Sequence, residues 1–550
     1  MTQQHSRPQW WHHAVIYQIY PRSFMDASGD GIGDLAGVTQ RLDYLANLGV
    51  DALWLSPFYR SPQADAGYDV ADYRDVDPLF GTLEDFDSML AGAHERGMRI
   101  IVDIVPNHTS SEHVWFQKAL ASPSGSPERA RYIFREGRGE YGEQPPNNWE
   151  SVFGGAAWTQ VPGEREWYLH LFDTSQPDLD WHNPEVLDEF DDVLRFWLKR
   201  GVDGFRVDVA HGMIKAPGLP DWNGSQAMIE GGNRGPMWDQ DEVHDIYRRW
   251  NRVLSEFGRD RMMVAEAWVH PPSKTARYVR PDEMQQAFNF DYLLTPWDAD
   301  KLRDVIDTSL ESYGAVGAPT TWVMSNHDGV RHASRLGLSR PGTRPNGIDA
   351  DDEQPDEALG LRRARAIIML TLALPGSAYL YQGEELGLPD HTTMPAHYRQ
   401  DPTFHRTNGE QIGRDGCRVP LPWCANAPAF GFNTTGESWL PQPESYARYA
   451  ADQQLENEDS TLELYRRLLA MRHEHGLGHG ELVWQASPRS DVLSLTNGDV
   501  TLVLNLGEMP VALPGGEVAL QSVTDAICDG QLAGNAAAWL IHADAYPDND

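Results

Sequence analysis

Cysteine is scarce: Cys417, Cys424 and Cys528 are the only three in 550 residues. Three cannot build a disulfide framework, and no paired C-x-x-C motif offers a thiolate metal site. Basic side chains are also short, 45 Lys and Arg against 81 Asp and Glu, for a formal charge of −36. A surface of that sign repels phosphate backbones and anionic bilayers, which argues against nucleic-acid and membrane partners. No uninterrupted apolar run reaches membrane-spanning length, and Met1–Ser6 lacks the basic-then-apolar order of a secretory leader. The expectation is a soluble, cytoplasmic chain. Tandem repeats and low-complexity tracts are missing as well.

What is present is enough apolar sequence, 41%, for a large core. Its rhythm is short buried strands alternating with amphipathic helices, the mark of parallel βα units. Strands are predicted at 14–21, Asp51–Ser56, Arg99–Val105, 204–209, 261–266, Ala287–Tyr292, 321–325 and Ala378–Gln382. Helices are predicted at Leu35–Leu48, Leu83–Arg96 with Thr82 as cap, Pro184–Lys199, 241–257, 300–313, Ala358–Leu374 and Thr461–His473. Eight strands predict an α/β fold, a (β/α)8 barrel spanning 1–105 and 177–475. Pro106 to Gln176 breaks the rhythm with Pro, Gly and aromatics. At that length it reads as a subdomain, 106–176, inserted after strand 3 over the barrel mouth. After Gly476 short alternating strands predict a C-terminal antiparallel β domain, 476–550.

Chemistry collects at the strand ends. Gly204-Phe205-Arg206-Val207-Asp208-Val209 puts an arginine and an aspartate on one face of a strand. Asp103 precedes Asn107-His108, Glu266 ends the next strand, and Asn326-His327-Asp328 follows the seventh. Carboxylates and histidines at successive C-terminal strand ends are what a barrel active site requires. Two carboxyls facing one site can cleave a glycosidic bond, with retention at about 5–5.5 Å separation and inversion at a wider one. Arg206 would keep Asp208 ionised, while Ala265, Ala267 and Trp268 would give Glu266 an apolar setting and a raised pKa. A metal-hydrolase reading of the same residues lacks an H-x-H pair at a strand end. Separately, Asp26, Ser28, Asp30 and Asp34 present side-chain oxygens at alternate positions with glycines between, which suits Ca²⁺. The chelating glutamate of an EF-hand is absent, with Gly37 in its place.

Asp103-Ile104-Val105-Pro106-Asn107-His108, Gly204–Asp208, Glu266-Ala267-Trp268 and Asn326-His327-Asp328 resemble, in order, the four signature segments of the α-amylase family of glycoside hydrolases. Val15–Phe24, Gln176–Asp180 and Gln382–Gly387 are similar to its α-glucosidase and oligo-1,6-glucosidase branch. The resemblance implies Asp208 as nucleophile, Glu266 as acid/base and Asp328 as the residue that distorts and stabilises the sugar. Asp65, Tyr68, His108, Arg206 and His327 would contact hydroxyls. Arg414 would pair with Asp65 and block the pocket, so that glucose leaves from the non-reducing end of small oligosaccharides or glucosides. The family's calcium loop would comprise Asp26, Ser28, Asp30, the Ile32 carbonyl and Asp34; no organic cofactor is implied. Val209 after the nucleophile is associated with α-1,6 preference, but Ala210-His211 departs from that pattern, and short α-1,4 substrates are favoured. A transglucosylase or trehalose-forming mutase could use the same site. The non-catalytic barrels of amino-acid transporter heavy chains are the contrasting class, but they have lost these residues and carry a membrane helix.

Overall fold

The computed structural model describes residues 9–224, 234–341 and 346–542; Met1–Ser6 and the last eight residues of the expected C-terminal domain lie outside them. Eight parallel strands form the central sheet: β1 Val15–Ile19, β2 Ala52–Leu55, β3 Arg99–Ile104, β4 Gly204–Val207, β5 Met262–Ala265, β6 Gln286–Ala287, β7 Thr321–Val323 and β8 Ser377–Tyr381. Their order is β6-β5-β4-β3-β2-β1-β8-β7. The seam between β6 and β7 is bridged by a side chain, the Thr321 hydroxyl donating to the Ala287 carbonyl. The eight-stranded barrel thus stands as predicted.

Two elements differ from expectation. The sixth strand stops at Ala287 instead of running to Tyr292, because the Asn289 side chain accepts the Tyr292 N–H and starts a helix over Phe290–Leu294. The first helix is two, Leu35–Gln40 and Leu42–Leu48, parted at Arg41. The second of them ends on Gly49 at φ 95, the left-handed stop a glycine makes without strain.

Between β3 and the helix Pro184–Arg200, the strands Phe134–Glu136, Glu166–Leu169 and Trp158–Gln160 pair as an antiparallel sheet. Trp149, Phe153, Trp158 and Phe172 of this segment form an apolar cluster with Val209 and Trp238 from the loop after β4. The insertion is thereby fastened to the end of a site-bearing strand. Past the helix Thr461–Glu474, a five-stranded antiparallel sheet runs in the order Leu482–Trp484, Val492–Asn497, Val500–Asn505, Ala536–Ile541, Glu517–Gln521. Its Leu495, Leu502, Leu504 and Trp539 belong to the same core as the barrel helix Glu357–Ala373. The Trp539 indole donates to the Met369 carbonyl at 3.0 Å. No helix among the described residues is long and apolar enough to cross a membrane.

Candidate active site

Register brings the first group together. Asp103 on β3 pairs with Arg206 on β4, and Val207 pairs with Ala265 on β5. Asp208 and Glu266 are each the next residue, so the two carboxyls emerge level at adjacent strand ends. Alternation then returns Arg206 to the same face as Asp208. Its guanidinium meets three carboxyls: Asp103 at 2.9 Å, Asp208 through the same nitrogen, and Glu266 at 2.9 Å through the other. Arg206 therefore does not serve Asp208 alone. Nor is Glu266 in apolar surroundings, since Oε2 also accepts the Val209 N–H at 2.9 Å and Oε1 the Trp268 indole N–H at 3.0 Å.

Three carboxyls around one guanidinium, in a place where Asp208 and Glu266 are only 8% exposed, hold more negative than positive charge. Burial pushes Asp208 up against the pull of Arg206, and Glu266 and Asp103 push it further. Asp103 rises to about 7, burial again outweighing Arg206. Asp208 and Asp103 are thus both held toward their protonated forms by burial and by neighbouring carboxylate charge.

The second group faces it across the barrel mouth. The Gln18 amide donates to His327 Nδ1 at 2.6 Å, leaving the ring proton on Nε2, which lies 2.6 Å from the Tyr68 hydroxyl and 3.2 Å from Asp328. Tyr68 in turn donates to Asp103 at 3.1 Å and lies parallel to the His327 ring. Burial holds His327 well below its ordinary pKa, so it is a neutral donor. His108, lowered to about 4 by burial, accepts from Asn107 and lies 3.2 Å from the Tyr68 carbonyl.

Arg414 ties the third group. It reaches Asp65 at 2.9 Å, Asp328 at 3.1 Å and Asp401 at 2.6 Å. Gln176 donates to the other Asp65 oxygen at 3.1 Å, and Arg418 to Asp328 at 3.0 Å. Burial would raise Asp328, but His327, Arg414 and Arg418 hold it well below the usual carboxylate range. Asp65 goes the other way, to about 6, because burial outweighs Arg414. All nine predicted catalytic and substrate-contact residues thus converge on one mouth.

Sequence reasoning missed Asp401 and passed over Arg418, Gln18 and Gln176 as contacts. Asp401 opens the helix Pro402–Arg406, where its side chain accepts from Thr403, and an N-cap aspartate of that kind gives no hint of a second duty.

The predicted metal loop lies apart from this cluster. Its donors are hard oxygens on a tight wrap in which Gly29 and Gly31 take φ of 85 and 94, a chemistry suited to calcium. Those oxygens also serve the loop itself. Asp26 accepts from Ser28, Gly29, Gly31 and Asn433, Asp34 from Ala27, Ser28 and Gly37, and Asp30 from the Ile32 N–H. Among the described residues no group of three or more His, Cys, Asp or Glu side chains is gathered as a metal cage.

A parallel eight-stranded barrel with paired carboxyls, a buried arginine and neutral histidines at its C-terminal rim is an arrangement that suits a glycoside hydrolase. The chain belongs to the alpha-amylase family: the model of the alpha amylase catalytic domain matches residues 18–480. It is similar to an alpha-glucosidase of Pediococcus pentosaceus, 36% identical over 88% of each chain, and to an oligo-1,6-glucosidase of Parageobacillus thermoglucosidasius, 34% identical over 90% of each. Among solved structures it is similar to an alpha-glucosyl transfer enzyme, XgtA, with a TM-score of 0.84, 36% identity, and coverage of 97% of this chain and 100% of that one. The chain is an alpha-amylase family glycoside hydrolase with alpha-glucosidase relatives.

Proposed function

We propose that the protein is a retaining, exo-acting α-glucosidase that releases glucose from the non-reducing end of short α-glucosides, with maltose-type α-1,4 linkages favoured. Asp208 attacks the anomeric carbon, and Glu266 as general acid delivers a proton to the departing oxygen. The glucosyl-enzyme ester is then opened by a water that Glu266 deprotonates. Asp328, kept ionised, accepts hydroxyls of the flattening ring and stabilises its developing charge, while neutral His108 and His327 hydrogen-bond the same sugar.

The observation that carries this reading is the single guanidinium joined to both Asp208 and Glu266. Carboxyls linked through one such group lie on the same side of the mouth, and Glu266 is near enough to Asp208 to hydrogen-bond it, which favours the short separation of a retaining enzyme over the wider one of an inverting enzyme. The exo mode is supported by the Asp65–Arg414–Asp401 ion pairs, which would close one end of the sugar pocket. Proton NMR of the first product tests the mechanism: α-glucose is expected at early times, and β-glucose overturns retention. Asp208→Asn is expected to lose activity by ~10⁴-fold or more with unchanged circular dichroism; near-normal turnover removes the nucleophile assignment.

Transglucosylation is the second reading, supported by the similarity to an alpha-glucosyl transfer enzyme. Concentrated maltose separates the two, because glucose alone means hydrolysis and longer sugars or trehalose mean transfer. Rates on maltose and isomaltose decide the linkage. Calcium in the 26–34 loop is a separate proposal, resting on the loop's oxygen chemistry; it would be structural and takes no part in the reaction. A rise in thermal midpoint with added Ca²⁺ that Asp30→Ala abolishes supports it, and no rise removes it.

A further inference from the structure

In the sequence Trp268 closes the Glu266-Ala267-Trp268 segment and stands as an apolar neighbour of Glu266. An indole nitrogen is a donor and never an acceptor, and a buried one needs a partner. Here the partner is Glu266 Oε1 at 3.0 Å. The ring has little freedom to leave it. It lies flat on Phe290, centroids 3.6 Å apart and planes 7° from parallel, and the cavity beside the stack measures only about 10 Å³.

The opposite oxygen is already committed. Oε2 accepts from Arg206 and from the Val209 N–H, both at 2.9 Å. Val209 takes φ 46, a left-handed turn that a β-branched residue rarely adopts, and that turn aims its amide at the carboxyl. The Ala210 N–H fixes the Glu266 main-chain carbonyl at 2.9 Å. With two donors on Oε2, the transferable proton belongs on Oε1. A protonated Oε1 keeps acceptor capacity for the indole, and the O–H is then directed away from it.

We propose that Trp268 is a positioning residue for proton transfer, its indole N–H orienting the Oε1 side of Glu266 while the end of β4 holds the Oε2 side. The inference rests on the acid/base role of Glu266 given above. The charged and titratable groups facing Glu266 are Arg206 and Asp208 from β4, Asp103 from β3 and His211 after β4. The His270–Asp291 pair borders the stack. Replacing Trp268 alters none of these side chains.

Trp268→Phe keeps an aromatic ring on Phe290 and deletes the donor. A hydrogen bond to the carboxylate favours its ionised form, so losing it is expected to move the alkaline limb of the kcat/KM profile up by about one pH unit. Turnover of maltose, whose leaving group needs the proton, is expected to fall ~10–100-fold, and that of 4-nitrophenyl α-glucoside less than ~5-fold. An unmoved alkaline limb, or equal losses on both substrates, overturns the proposal. Should that variant not fold, benzothienylalanine placed at 268, with sulfur where the N–H was, preserves the shape and is held to the same two outcomes. Azide rescue of Glu266→Ala on the nitrophenyl substrate tests the acid/base assignment separately, so a failed Trp268 prediction and a failed active-site reading are told apart.

Discussion

Arg414 has more partners than its proposed task of closing a pocket needs. On the proposed reading Asp65 and Asp328 face the sugar, whereas Asp401 is fully buried and accepts from both the Arg414 side chain and its backbone N–H. Burial would raise Asp401, yet Arg414 and Arg418 hold it well below the carboxylate range. Charge-assisted contacts of this kind contribute about 1.5–3 kcal/mol each. Asp401→Asn keeps the shape and removes the charge. On the proposed reading it raises KM for maltose ~10-fold while kcat falls less, because the arginine loses its anchor while Asp208 and Glu266 are untouched. A kcat loss equal to that of Asp208→Asn would instead put Asp401 in the chemistry. Arg414 itself was legible because it sits in a motif with Arg418. Asp401 was not, since it stands thirteen residues away in a Pro- and Gly-rich excursion where no periodicity assigns a facing side.

Among the elements, local rules held best where they were redundant. Leu83–Glu95 has a full capping box, Thr82 accepting from the Asp85 N–H and Asp85 returning the bond to Thr82. Thr82→Ala is expected to cost about 1 kcal/mol, read as roughly fivefold faster amide exchange in the first turn with the barrel strands unaffected. Strands β1 to β5 were legible because each is a short, mostly apolar run. β6 was overread for the same reason: Phe288, Phe290, Tyr292 and Leu293 continue the apolar run. Only the Asn289 cap, a side-chain hydrogen bond invisible to alternation, ends it. The convergence of Asp103, Arg206, Asp208 and Glu266 needed register, which the separate motifs did not contain.

For the molecule as a whole, several acids are buried beyond the catalytic mouth. Glu384 follows β8, and burial raises it from an ordinary value of 4.5 to about 8, with the Tyr381 N–H only partly opposing. A carboxyl whose folded pKa is raised stabilises the fold fully below the unfolded value and loses that contribution as pH rises through the folded one. Wild-type stability from Glu384 is therefore complete near pH 4.5 and gone above about pH 8. Glu384→Gln mimics the protonated form, and its thermal midpoint is expected to fall less than the wild type's between those limits. Parallel curves would mean that Glu384 ionises normally.

One arginine among three acids has a consequence for what else this mouth attracts. Arg206 cannot neutralise Asp103, Asp208 and Glu266 together. A small polyhydroxylated amine, carrying its ammonium where the reacting carbon takes on positive character, would supply the missing counter-ion. Inhibition by such amines should strengthen as pH rises toward the amine's own pKa and Asp103 and Asp208, both raised by burial, ionise, whereas a neutral sugar of the same shape should bind almost independently of pH.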